Sequence, residues 1–166
     1  MRTSIFILIS LFLAFMFDVI LVYLDIVDFK PFFFLLTLIY WNLALPERIS
    51  LFSVIIFGLI YDLFQGTLLG VFGIAFLSIT YIFQRFFYQF RTLSIIQQIL
   101  LVFIIAFFLK LYLAINFENT ALFSSALIDK NYIGKAALNA LINALIWPFV
   151  FFTLRAFRRK WIGLRR

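Results

Sequence analysis

The sequence has no cysteine and no histidine. Their absence excludes disulfides, thiol chemistry, Cys/His metal sites and imidazole acid–base catalysis together. Charge is also scarce. Only 13% of the 166 residues are Asp, Glu, Lys or Arg, about half the share of a soluble domain. Glycine and proline are few, six and three, so there is no flexible linker, and no repeat or domain boundary is visible. No Gly-rich phosphate loop follows a strand pattern, and no carboxylate pair is placed for a soluble cleft. No small-x-small cleavage signal follows the first apolar run, which argues against a cleaved leader.

What remains is apolar. Hydrophobic residues make up 66% of the chain and the mean hydropathy is +1.16. A water-soluble globule of this size cannot hide so much apolar surface. The expected fold class is an all-α polytopic membrane protein, a bundle of six transmembrane helices with almost no soluble mass.

The apolar runs predict spans at Ile5–Leu24, Pro31–Leu45, Ser50–Phe64, Gly66–Phe83, Leu93–Phe117 and Ala136–Leu154. A polar loop, Glu118–Lys135, precedes the last, and Arg155–Arg166 forms a basic tail. Residues 1–154 thus form one membrane domain and 155–166 a tail. The second and third runs are short. Fifteen residues make ~22 Å of helix against a ~30 Å hydrocarbon core, so a thinned, protein-packed region or a re-entrant hairpin are both open. The tight turn Pro46-Glu47-Arg48 makes these two segments antiparallel neighbours in either case.

Alternating the sides places Arg2, Arg48, Arg85, Arg91, Arg155, Arg158, Arg159, Lys160, Arg165 and Arg166 on one face. The other face receives Lys30, Lys130 and Lys135. The positive-inside rule then puts both termini in the cytoplasm. The net charge of +7 is therefore explained by topology and by attraction to the lipid bilayer rather than by nucleic acid. Phe157, Trp161 and Leu164 interleave with the tail charges at helical spacing, as in a short interfacial helix.

Three ionisable residues fall inside spans: Asp18, Asp62 and Lys110. Embedded charges are costly and mark paired or functional positions. All three belong to outward-running spans at comparable depth. They could hydrate or cap at the surface, pair as a strut between helices, or contact an ion or ligand. Gly66, Gly70 and Gly73 share a face at helical spacing, which predicts a close helix–helix contact.

Several stretches carry a resemblance. Lys30-Pro31, Tyr40-Trp41-Asn42-Leu43-Ala44-Leu45-Pro46-Glu47-Arg48 and the pattern Gly58…Asp62…Gly66…Gly70 resemble the second and third spans of the rod shape-determining MreD family. Asn143 to Arg155, with Trp147-Pro148, resembles that family's last span. The resemblance covers residues 30–100 and 139–159. Lys30 departs from it, since many members carry Arg before the Pro; the charge survives, a bidentate contact does not.

The resemblance implies a fold similar to the substrate-binding subunit of energy-coupling-factor transporters. It implies a non-catalytic scaffold in the bacterial inner membrane that needs no cofactor and no metal. The implied partner is a bitopic MreC-like protein and, through it, MreB, the RodA glycosyltransferase and a class B penicillin-binding transpeptidase. The alternative is a small-solute binding subunit of a transporter.

Overall fold

A computed structural model describes residues 2–24, 30–86, 88, 90, 92–117 and 130–161. Most of them lie in six α-helices: α1 (Arg2–Leu24), α2 (Phe33–Ala44), α3 (Leu51–Gln65), α4 (Val71–Arg85), α5 (Ile95–Phe117) and α6 (Lys130–Trp161). A single 3₁₀ turn, Pro46–Arg48, joins α2 to α3.

Three of the helices, α1, α5 and α6, are long and apolar enough to cross a membrane. The other three are shorter, at 12, 15 and 15 residues. The reason α2 can be short is its position. Nine consecutive residues, Phe34 to Asn42, are buried, so this helix is surrounded by protein and has no lipid to span. Its ~18 Å of length need not match the hydrocarbon thickness.

The closest helix pairs are α3 with α4, α5 with α6, and α1 with α2; α2 also lies against α4 and α6. The expected α2–α3 neighbours adjoin mainly through side chains, Phe34 with Phe57 and Tyr61. The outer helices turn one stripe inward and the rest outward. On α1 the inward stripe is Ile7, Leu11, Phe15 and Asp18, while Ile5, Ile9, Phe12, Leu13, Phe17 and Ile20 are exposed. On α6 the inward stripe carries Ala136, Ala140 and Ala144. Small residues at this spacing let α5 approach closely.

Two expected boundaries need correction. The fourth helix starts at Val71, not Gly66, because Gly66 (φ 67°) and Gly70 (φ 102°) adopt left-handed backbone in the preceding turn. Gly66 caps α3, with the Thr67 amide donating to the Asp62 carbonyl at 3.0 Å, the closing bond of a Schellman turn. The last helix is longer than its apolar run. It begins at Lys130 and continues through Pro148 to Trp161, so residues 155–161 extend the span as one rod rather than forming a separate interfacial helix. The loop from 118 to 129 and the tail beyond 161 lie outside the described residues.

The glycine contact is also reassigned. Gly66 and Gly70 have open space where a Cβ would stand, so they supply left-handed backbone and neither is pressed against another helix of this chain among the described residues. The close approach is between Gly58 of α3 and Gly73 of α4. A Cβ on Gly58 would overlap the Gly73 Cα and stand 2.7 Å from the Gly73 nitrogen, whereas one on Gly73 meets nothing nearer than 3.8 Å. The two glycines are therefore not equivalent. Gly58→Ala should destabilise by about 1–3 kcal/mol, since backbone must move to admit the methyl, and Gly73→Ala should be nearly neutral. Survival of folded protein after heating in detergent measures both. Equal losses would contradict the asymmetry.

Candidate functional site: a polar cavity at the start of α2

An α-helix leaves its first amides without internal partners, and in lipid no water reaches them. At the start of α2 the flanking residue Phe32 provides no side-chain cap. Two other helices supply what is missing. Asp18 of α1 accepts from the Phe33 amide through Oδ1 and from the Phe34 amide through Oδ2, both at 2.9 Å. Asn143 of α6 accepts from the Phe32 amide through Oδ1 at 2.8 Å. Asn143 is held by its own Nδ2, which donates to the Asn139 carbonyl at 2.9 Å and to Asn139 Oδ1 at 3.1 Å. Asn139 in turn donates to the Lys30 carbonyl at 2.9 Å. Asp18 also favours the positive end of the α2 dipole.

Beside this cap is a cavity of about 270 Å³. Asp18, Lys30, Tyr61, Gln65, Lys110 and Tyr132 bring polar groups to it. The Tyr61 hydroxyl donates to Asp18 Oδ2 at 3.4 Å, a long bond. The Tyr132 hydroxyl donates to the Lys110 carbonyl at 3.0 Å and ties α6 to α5. Tyr61 packs with Phe72 and Phe76, their centroids 4.6 and 5.8 Å away. Lys110 places its Nζ over the Phe32 ring, 5.1 Å from the centroid, a cation–π contact. Among the described residues no carboxyl group pairs with it.

Asp62 is elsewhere engaged. It is fully buried and organises the α3–α4 turn. Oδ1 accepts from the Thr67 hydroxyl at 2.7 Å and the Phe72 amide at 2.9 Å; Oδ2 accepts from the Gly70 amide at 2.8 Å. Of the three readings open for the embedded charges, capping describes both acids, and the Lys110 strut is not formed.

The other motif residues do not converge on this cavity. Trp41 donates from its indole to Ser10 Oγ at 2.7 Å and fastens α2 to α1. Pro46 and Arg48 stand at the opposite end of α2, where Gln84 donates to the Pro46 and Ile49 carbonyls at 3.2 and 3.1 Å. Tyr40 is edge-on to Trp41 and Phe151. Trp147 is fully buried and its indole nitrogen has no partner among the described residues; Pro148 follows it inside α6. Asn139 and Asn143 are the cap residues that sequence reasoning missed. Their signal was an amide pair at i, i+4 on an otherwise apolar helix face.

The cap makes an ordered prediction. Asp18→Ala strands two buried amides and should cost about 2–5 kcal/mol, while Asp18→Asn keeps one acceptor and should cost less. Asp62→Asn and Lys110→Met should add to within about 0.5 kcal/mol, because no bond couples them. Thermal survival in detergent for the single and double variants gives both results.

The comparisons with known proteins agree with this architecture of apolar helices. The family described as rod shape-determining protein MreD matches residues 1–157. The rod shape-determining protein MreD of Haemophilus influenzae (strain ATCC 51907 / DSM 11121 / KW20 / Rd) is 34% identical over 133 residues, which cover 79% of this chain and 76% of that protein. No solved structure matches. The chain belongs to the MreD family of rod shape-determining membrane proteins.

Proposed function

We propose that this chain is a non-catalytic scaffold of the bacterial cell-elongation complex. It lies in the cytoplasmic membrane as six spans with both termini cytoplasmic, and it supports peptidoglycan synthesis by binding a bitopic MreC-like protein. MreB, RodA and a class B penicillin-binding transpeptidase are reached through that partner. Family membership over residues 1–157 carries the reading. The chemistry of the bundle supports it. Asp18, Asp62, Asn139, Asn143 and Trp41 use their polar atoms to join helices, and large apolar side chains cover the outside of every long helix except α2. Such a surface offers helix faces to lipid and to a partner's membrane anchor.

A second reading is favoured by one observation, the polar cavity lined by Asp18, Tyr61 and Lys110. A transporter's solute-binding subunit would use such a pocket, in line with the fold analogy to energy-coupling-factor proteins. Fold analogy alone is a weak warrant for function.

Outward-facing Phe12, Phe52, Ile74, Phe108 and Phe149 are suited to photo-crosslinkers in intact cells. A scaffold should give a discrete adduct with a bitopic protein from one or two neighbouring faces. A solute binder should give none and should instead release a small molecule on denaturation. Orientation is tested separately with periplasm-dependent phosphatase fusions: active at Ser125, inactive at Arg166.

A further inference from the structure

The end of the bundle opposite the Asp18 cap holds a second, larger cleft of about 500 Å³. It opens between the Pro46–Arg48 turn, the start of α5 and the last turns of α6. Three cations line it, Arg48, Arg155 and Arg158, against one acid, Glu47. None of the three arginines is in an ion pair among the described residues. Arg155 places its guanidinium carbon 5.9 Å from the centroid of Phe151, at the outer reach of a cation–π contact.

Two buried polar atoms at this cleft also lack partners. The Tyr40 hydroxyl and Gln98 Oε1 have no hydrogen bond among the described residues, although the two side chains are only 2% and 8% exposed and both line the cleft. Stranded buried groups are expensive. Tyr40 offers a donor beside guanidinium groups, and Gln98 offers an acceptor. A phosphodiester oxygen suits the first, and a headgroup hydroxyl suits the second.

We propose that this cleft seats the headgroup of an anionic phospholipid, with Arg155, Arg158 and Arg48 on the phosphate and Tyr40 donating to one of its oxygens. Guanidinium groups match phosphate geometry, and basic pockets between transmembrane helices on the cytoplasmic side bind such lipids. A lipid is preferred to a soluble phosphate compound because Leu43, Leu45 and Phe151 form an apolar flank to the same cleft. The proposal rests on the orientation given above, which puts this end at the cytoplasmic leaflet.

The test is lipid retention by the intact protein, reconstituted in nanodiscs of phosphatidylglycerol mixed with phosphatidylcholine, extracted, and read by native mass spectrometry. The native chain should keep phosphatidylglycerol over phosphatidylcholine. Arg155→Gln with Arg158→Gln should lower that preference by about tenfold or more, at ~1 kcal/mol per basic residue. Tyr40→Phe should lower it too without lowering thermal survival, since it removes a stranded hydroxyl. Arg159 and Lys160, exposed on the same helix but outside this cleft, are the control. If Arg159→Gln with Lys160→Gln lowers retention as much, the attraction is diffuse and the site is refuted. Equal retention of the two lipids, or displacement by millimolar glycerol phosphate, also overturns a lipid site. The chain lacks cysteine, so Glu47→Cys with an impermeant maleimide reports orientation independently. Labelling from outside the cell would overturn the cytoplasmic assignment while leaving the headgroup site itself to the retention result.

Discussion

Every amide of a chain in lipid must find a partner within the protein, and the start of α2 is where that demand is hardest to meet. This helix is buried on all sides, begins after a proline and has no cap of its own. Asp18 and Asn143 answer from two helices that are 15 and 111 residues away in sequence. The bundle is organised around that answer. Removing α2 from its place would expose three amides; losing α1 would strand those of Phe33 and Phe34, and losing α6 that of Phe32. One set of short hydrogen bonds therefore joins the first helix, the central helix and the last.

The same logic explains why the embedded acids are tolerated. Asp18 and Asp62 each accept from two backbone amides, so each carboxyl group replaces solvent for a helix start or a turn. Carboxyl group and amide are each costly alone in an apolar medium and satisfied together. Lys110 follows another route, resting on an aromatic ring at the edge of the polar cavity. Among the described residues no carboxyl group pairs with it, and it lines the cavity together with Asp18.

Much of this was legible in the chain. The number, order and approximate limits of the helices follow from apolar runs punctuated by Pro31, Pro46 and Gly66. Asp18, Asp62 and Lys110 stood out because charge inside an apolar run is rare. Partnership was not legible. Gly66 and Gly70 fit a helical face by spacing, yet positive φ removes them from any helix, and Gly58, with the same residue type, is the one pressed against a neighbour. Local sequence records that a residue is small or polar. Which backbone lies opposite is decided by segments far along the chain, as with Asn139 and Lys30.

The continuity of α6 has a mechanical consequence. Thirty-two residues make a rod of ~48 Å, longer than the ~30 Å hydrocarbon layer. One end is clamped by Asn139, Asn143 and Tyr132; the other carries Arg155 and Arg158. Between them Pro148 cannot donate to the Ala144 carbonyl, which takes one rung from the ladder. Helical backbone nevertheless continues through Pro148 to Trp161. The groups that hold α2 and the arginines at the far end therefore share one unbroken helix, and the two ends of the bundle are joined by its backbone.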